Sequence, residues 1–320
     1  MEMLKFTEEE VKFTTRVDVY GTLTIPDNSI EKLPAVILVS GSGPIDRDGT
    51  VSHGKFKTDL YKDIAHLITQ EGFITLRYDK RGTGKSGGEW LKTGMWDLVE
   101  DLEGAYRFIQ EHPRVDNGKI VLAGHSEGTI IVTAVVERHS EIAGMMLLSG
   151  GVDNLDEALV HQRKLSYNEL RNKKGISGWI FRKVINGTKQ EEKVKKQMKP
   201  ILESTQDIVK VQLFIKQPAK WYREHFSYNT REALKNISCP VFAIQGDKDP
   251  LVENEVLKEL PDLVQGACEF HIIPNMEHAL KEQTEPRTIL NYKKVIKSTI
   301  GKPIHPIAQE KILNWLKAYI

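Results

Sequence analysis

The 320-residue chain is 40% hydrophobic and 28% charged, and its 45 Lys and Arg residues nearly balance its 44 Asp and Glu residues. This composition excludes extensive disorder, and a net charge of +1 gives no global reason to expect binding to nucleic acid or to a membrane. At roughly 100–200 residues per domain, the length permits one large domain or two smaller ones with a sizeable core.

The amino terminus and the cysteines indicate a reduced, cytoplasmic protein. Acidic residues follow Met1 where a secretory signal would carry a basic stretch and then an apolar run. No apolar stretch approaches the roughly 18 residues of a membrane-spanning helix. Cys239 and Cys268 are too few for a disulfide framework, and each lies at the start of an apolar run, which favours buried free thiols.

Apolar periodicity predicts a mostly parallel sheet. Val17, Val19 and residues 21–26 alternate with polar residues, which is typical of an antiparallel edge. Helical apolar faces at 60–68 and 98–109 then separate short β-branched runs that suit strands covered on both faces. These runs are 35–39, 73–76, 120–123, 145–148, 241–244 and 270–273. The alternation predicts an α/β fold, a mostly parallel twisted sheet with helices on both faces.

The pattern changes after Gly151. Residues 152–235 are polar, Lys-rich and helix-prone, with no convincing strand, and we interpret them as an inserted helical cap. Residues 1–151 and 236–320 then form the two parts of the sheet domain, closed by a helix at about 307–319. The cap offers five candidate substrate-binding residues, for each of which packing within the cap is the alternative: Trp179, Phe181, Phe214, Trp221 and Tyr222.

The predicted strand at 120–123 runs directly into Gly124-His-Ser-Glu-Gly128, and a helical pattern follows at once. A strand, a tight turn and a helix are the context of a nucleophile elbow. The sharp turn strains Ser126, so the residues two before and two after it must lack bulky side chains. The helix that follows also directs free backbone N–H groups to where negative charge would develop. The motif therefore predicts Ser126 as a nucleophile.

A second stretch, Gly84-Lys-Ser-Gly-Gly88, also fits the Gly-x-Ser-x-Gly pattern. No strand ends directly before it and no helix begins directly after it, so Ser86 is not favoured as a nucleophile. The same stretch suggests a phosphate-binding loop, but Asp79 stands where that motif needs glycine. A nucleotide site is therefore not favoured.

A serine hydroxyl needs a general base, and that base needs an orienting acid. Asp247 and Asp249 follow the run at 241–244, and His278 follows the run at 270–273. Among ten histidines, only His278 combines a loop after a strand with a position after these acids and before the final helix. The order predicts His278 as the base and leaves the two acids open.

The run at 35–39 ends in a glycine-rich loop, Ser40-Gly-Ser-Gly-Pro44. We expect the backbone N–H groups of Ser42 and Glu127 to form an oxyanion hole, with an ordinary turn as the alternative interpretation of this loop. The sequence contains no metal-binding or dinucleotide-binding motif, so we expect neither a metal nor a cofactor.

With these residues assembled, the chain resembles the α/β-hydrolase superfamily through residues 79–86, 124–128 and 246–252. The last segment is similar to the family's Gly-x-x-Asp-x-x-Val, which favours Asp249 as the acid. Residues 41–49 resemble those of bacterial carboxylesterases of the serine aminopeptidase-like branch. The resemblance implies the α/β-hydrolase fold and ester hydrolysis through an acyl-enzyme.

One departure from the family concerns the oxyanion loop: many relatives have His-Gly where this chain has Ser40-Gly41. The backbone donor does not depend on that side chain. In the same loop we expect Asp46, Arg47 and Asp48 to hold the backbone through Arg–carboxylate pairing rather than to contact substrate.

The hypothesis from sequence is a serine hydrolase acting on a small carboxylic ester. An acyl thioesterase or an aminopeptidase or amidase would use the same triad, and a catalytically silent hydrolase fold could serve as a binding module. Residues 152–235 carry 18 Lys and Arg against 10 Asp and Glu, a net charge of +8, so the remainder carries −7. A basic cap could steer anionic esters to the site, and a solvated helix surface is the alternative. Oligomeric state and natural substrate are left open.

Overall fold

The computed structural model describes residues 4–28, 31–51, 56–184, 187–211 and 215–320. Its strands are β1 (Phe6–Thr14), β2 (Asp18–Pro26), β3 (Leu33–Val39), β4 (Thr50–Val51), β5 (Phe56–Lys57), β6 (Ile74–Tyr78), β7 (Val115–His125), β8 (Gly144–Leu148), β9 (Ile208–Val211), β10 (Ile215–Pro218), β11 (Val241–Gly246) and β12 (Cys268–Ile273). Its helices are α1 (Leu60–Thr69), α2 (Met95–Gln110), α3 (Glu127–Val136), α4 (Leu155–Arg171), α5 (Gly175–Val184), α6 (Gly187–Leu202), α7 (Ala219–Ser227), α8 (Thr230–Leu234), α9 (Leu260–Leu263), α10 (Tyr292–Thr299) and α11 (Pro306–Tyr319).

Within the described ranges, eight strands form one sheet in the spatial order β1-β2-β6-β3-β7-β8-β11-β12. Parallel pairing joins the six neighbouring strands β6, β3, β7, β8, β11 and β12, whereas β1 and β2 form an antiparallel edge. The predicted fold class is therefore confirmed, including the antiparallel edge at the amino terminus. Each of the six apolar runs coincides with its own parallel strand, with Phe73 one residue before the start of β6.

Both faces of the sheet are covered by helices. Along β3, Ile37 packs into the cluster shared with α2 and α3, whereas its neighbour Val36 packs into the cluster shared with α1 and α11. This alternation follows from the two-residue period of a strand, and it explains why the runs are apolar without interruption. Trp315 of α11 is 1% exposed and packs against Phe242, which closes the second face.

Between β8 and β11 the chain forms α4 to α8 and the hairpin of β9 and β10. The hairpin corrects the prediction of an insert without strands. Each of its strands has four residues, and Lys210 and Lys216 interrupt their apolar character, so neither stands out as a strand pattern. Phe214 lies outside the described residues. No helix within the described ranges is both long and apolar enough to span a bilayer.

The cysteines are free thiols, as predicted, with Cys239 buried and Cys268 half-buried. Burial raises the pKa of each thiol to about 11. Both side chains therefore remain protonated near neutral pH and pack as small apolar groups.

Candidate active site

Ser126 occupies a strained turn between β7 and α3, with φ 54° and ψ −120°. A Cβ on Gly128 would lie 2.3 Å from the Val39 carbonyl oxygen, and a Cβ on Gly124 would lie 2.2 Å from the Gly128 carbonyl oxygen. Both glycines are therefore required by close backbone approach, as the spacing of the motif predicted. Such a turn presents the serine hydroxyl above the carboxyl ends of the parallel strands.

His278 and Asp249 form a buried pair. His278 Nδ1 lies 2.6 Å from Asp249 Oδ2, and Asp249 Oδ1 accepts a hydrogen bond from the Leu251 N–H at 2.8 Å. Asp247 instead accepts a hydrogen bond from the Asn275 N–H at 2.7 Å. Of the two acids that the sequence left open, Asp249 is therefore the one beside His278, and its bond to Nδ1 leaves Nε2 to accept a proton.

The surroundings of His278 favour its charged form. Burial alone would lower the pKa of His278, but the Asp249 carboxylate and its hydrogen bond outweigh this effect, so the pKa lies above its ordinary value. Burial raises the pKa of the neighbouring Glu277 to about 7. The Glu277 carboxyl accepts hydrogen bonds from the N–H groups of Ala279 at 2.9 Å and Lys281 at 3.1 Å, which holds the turn that presents His278.

A buried hydrogen-bond chain joins the oxyanion loop to the His278 backbone. The Gly41 N–H donates to Tyr61 Oη at 2.7 Å, and Tyr61 Oη lies 3.0 Å from His125 Nδ1. His125 Nε2 lies 2.8 Å from the His278 carbonyl oxygen. Because the carbonyl can only accept, Nε2 carries the proton and Nδ1 accepts from the tyrosine. Burial lowers the pKa of His125 to about 3, which fits this neutral form.

The conformation of the oxyanion loop is held, as predicted, by the charged residues that follow it, Asp46, Arg47 and Asp48. Arg47 Nη2 donates to Asp79 Oδ2 at 2.7 Å, and Arg77 Nε donates to Asp48 Oδ1 at 2.7 Å. Asp46 Oδ1 accepts three hydrogen bonds from the backbone N–H groups that follow it, at distances of 2.7 to 3.0 Å. These pairs fix the loop against β6 and the residue that follows it.

Ser86 has a structural place in the fold. Its Oγ donates to the Asp79 carbonyl oxygen at 2.7 Å and accepts a hydrogen bond from the Tyr20 N–H at 2.9 Å. These two bonds close the loop after β6 onto β2. The second Gly-x-Ser-x-Gly match is therefore a buried turn, and its hydroxyl is already engaged.

Two cavities meet at Ser126, and both are also lined by Ser42 and Leu251. The smaller has a volume of about 180 Å³ and extends between α3, α4 and the ends of β8 and β11. The larger has a volume of about 360 Å³, and His278 and Tyr292 contribute to its wall. The backbone N–H groups of Ser42 and Glu127 donate no hydrogen bond to any residue that the structure describes.

The candidate residues of the insert are distributed differently from the prediction. Trp221 lines the smaller cavity, and its Nε1 donates to the Glu127 carboxylate. Trp179 is 53% exposed beneath the Lys183 ammonium, Phe181 lines neither cavity, and Tyr222 packs edge-on against Trp221. These three candidates therefore line neither of the cavities at Ser126, and of the residues proposed from the insert the structure places Trp221 there.

Sequence reasoning missed one face of α4. Leu155, Ala158, Leu159 and Gln162 line the smaller cavity. Their spacing is that of one helical face, so the sequence does carry a signal for them, although none of the four is aromatic. Within the described ranges, no group of three or more His, Cys, Asp or Glu side chains is placed to hold a metal ion.

Comparison with known proteins places this geometry in a family. The family model described as serine aminopeptidase, S33, matches residues 50–285. Esterase EstD of Thermotoga maritima is 33% identical over 144 residues, which cover 45% of this chain and 33% of EstD. The match with this relative thus spans a third of the relative's own length.

Solved structures share the fold across nearly the whole chain. Est1E of Butyrivibrio proteoclasticus, solved with ferulic acid bound, has a TM-score of 0.60 at 17% identity and covers 94% of this chain and 99% of its own. The esterase Pf2001 of Pyrococcus furiosus has a TM-score of 0.58 at 18% identity, with coverages of 98% and 91%. By the extent of the family match and by its sheet order, the chain belongs to the serine aminopeptidase S33 family of α/β-hydrolases.

Proposed function

We propose that the chain is a serine hydrolase that cleaves a small carboxylic ester through an acyl-enzyme intermediate. One observation carries the proposal: the strained Ser126 shares a cavity with His278, whose Nδ1 lies 2.6 Å from the buried Asp249. The similarity to EstD and the fold shared with known esterases support the same reaction class.

Each group then has a defined task. Ser126 Oγ attacks the ester carbonyl while His278 Nε2 takes its proton, and Asp249 orients the imidazole and stabilises its charged form. The N–H groups of Ser42 and Glu127 bind the oxyanion. His278 next protonates the leaving alcohol, and a water molecule activated by the same histidine releases the acid.

The two cavities support an orientation for the substrate. His278 protonates the leaving oxygen, and it lines only the larger cavity, so we assign that cavity to the alcohol group. The acyl group then occupies the smaller cavity of about 180 Å³. A cavity of about 150 Å³ accommodates benzene, so an acyl group of about this size is the expected limit.

The insert of residues 152–235 is proposed to act as the cap over this site. Its helix α4 contributes Leu155 and Leu159 to the smaller cavity, and its helix α7 contributes Trp221. The insert would therefore set the acyl preference. This role is consistent with the common use of inserted segments as walls of ligand sites on a rigid sheet.

The test is turnover of p-nitrophenyl acetate and butyrate by the wild-type chain, Ser126→Ala and Ser86→Ala. We expect Ser126→Ala to lose at least about 10³-fold in kcat, because nucleophilic catalysis is removed, and Ser86→Ala to retain activity. Ester turnover by Ser126→Ala at the wild-type rate would refute the proposal. Faster turnover of the matching acyl-CoA thioester or aminoacyl nitroanilide would reassign the chain to a thioesterase or an amidase.

A further inference from the structure

One buried ammonium lies between the two halves of the proposed oxyanion hole. Lys80 follows β6 and is 5% exposed. Its Nζ donates to the Gly41 carbonyl oxygen and, at 3.0 Å, to Oε2 of Glu127. Lys80 thus contacts the residue before one proposed oxyanion donor, Ser42, and the side chain of the other, Glu127.

The contact with Gly41 determines the direction of the first donor. The Gly41 carbonyl and the Ser42 N–H belong to the same planar trans peptide, so they point in opposite directions. Anchoring the carbonyl oxygen therefore fixes the direction of the N–H of Ser42, a residue that lines both cavities at Ser126, whereas Lys80 lines neither. The positive charge of the Lys80 ammonium beside the carbonyl oxygen also polarises the peptide, which makes its N–H a stronger donor.

The contact with Glu127 fixes the residue that supplies the second donor. Its carboxylate is buried and receives hydrogen bonds from Lys80 Nζ on Oε2 and from Trp221 Nε1 on Oε1. His225 Nε2 lies 3.2 Å from the same Oε1. Burial alone would raise the pKa of Glu127, but the Lys80 ammonium and these neighbours outweigh it and hold the pKa below its ordinary value. The ionised side chain is thus bound on both oxygens.

We propose that Lys80 is a positioning residue that orients both backbone donors of the oxyanion hole through one ammonium group. The inference rests on the proposed function, because it assigns a task within that reaction. Lys80 lines neither cavity at Ser126, so it acts through Gly41 and Glu127 rather than on the substrate. Charge neutralisation of Glu127 alone would not require the second bond to Gly41.

The test compares Lys80→Met, the double variant Lys80→Met with Glu127→Gln, and Lys85→Met. Lys80→Met leaves a buried carboxylate without its ammonium and could unfold, whereas the double variant removes both charges. Lys85 lies in the same loop, and its exposed ammonium pairs with Glu10 at 2.6 Å, so Lys85→Met is the matched control. Thermal unfolding identifies the folded variants.

Kinetics of p-nitrophenyl butyrate hydrolysis then separate positioning from packing. We expect the folded Lys80 variants to lose about 10²–10³-fold in kcat, the effect of removing one oxyanion donor, while KM changes much less. Affinity for an alkyl trifluoromethyl ketone, which forms a tetrahedral oxyanion on the serine, should weaken in parallel, and affinity for the matching methyl ketone should not. Lys85→Met should behave as wild type.

Two results would overturn the inference. A folded double variant with wild-type kcat and wild-type affinity for the trifluoromethyl ketone would show that Lys80 only neutralises Glu127. Equal weakening of both ketones would show general damage to the site. In either case wild-type ester turnover that depends on Ser126 leaves the proposed function standing, whereas a wild-type chain without turnover removes the proposed function and this inference together.

Discussion

Tyr61→Phe removes one hydroxyl from the chain of hydrogen bonds that supports the site. The Tyr61 hydroxyl accepts from the Gly41 N–H at 2.7 Å and donates to His125 Nδ1 across 3.0 Å. All three groups are buried, and a phenylalanine ring offers neither an acceptor to the Gly41 N–H nor a donor to His125 Nδ1. The phenyl ring itself remains, and the packing of α1 against the sheet is unchanged.

The magnitude follows from the two partners that lose their bonds. A buried donor or acceptor left without a partner costs about 1–3 kcal/mol. With one N–H and one imidazole nitrogen affected, the free energy of unfolding should fall by about 2–6 kcal/mol. This loss is a large share of the roughly 5–15 kcal/mol that stabilises a typical domain.

The matched control is Tyr106→Phe. Tyr106 is 2% exposed in α2, and its buried hydroxyl has no hydrogen-bond partner among the residues that the structure describes. Removing it costs no bond and relieves a desolvated group, so the control should be neutral or stabilised. Urea unfolding followed by tryptophan fluorescence measures both variants. A Tyr61→Phe variant as stable as Tyr106→Phe would refute the reasoning that the Tyr61 hydroxyl connects these two elements.

Three further predictions concern the reaction. Asp249→Asn should lower kcat by about 10⁴-fold and Asp247→Asn should have little effect, and the opposite ranking would move the acid role to Asp247. Because Asp249 raises the pKa of His278, kcat/KM should fall with decreasing pH through a midpoint above 6.5, and a midpoint below it would contradict this environment. Between the isomers octyl butyrate and butyl octanoate, the enzyme should prefer octyl butyrate in kcat/KM, and the reverse preference would refute the assigned orientation.

The strands of the sheet could be predicted because the apolar pattern that marks each strand lies within its own short segment of sequence. A parallel strand such as β3 is apolar on both faces. The alternation of such strands with helices leaves few possible topologies for a parallel sheet. The hairpin of β9 and β10 escaped prediction because four-residue strands carrying lysines have no clear period. The order of the strands within the sheet is not determined by these local patterns, and it is known only from the structure.

The residues of the site likewise include some that a local sequence pattern identifies and others that have no local signal. Ser126 and His278 could be found from turns after strands, since steric demands and chain order determine those positions. Tyr61 has no separate signal within the apolar face at 60–68, because its contact with His125 joins residues 64 positions apart in sequence. Lys80 likewise has no local signal, as its partner Glu127 is 47 positions away. The aromatic candidates that line neither cavity, such as Trp179, show that residue type alone does not reveal which helix face meets the site.

Covalent labelling can locate the nucleophile of the chain. A fluorophosphonate reacts with a serine whose hydroxyl is activated by a neighbouring base and whose adduct is held by an oxyanion hole. Peptide mass spectrometry of the labelled wild-type chain should locate the adduct on Ser126, and Ser126→Ala should remain unlabelled. An adduct on another residue, or undiminished labelling of Ser126→Ala, would contradict the assignment of Ser126 as the nucleophile.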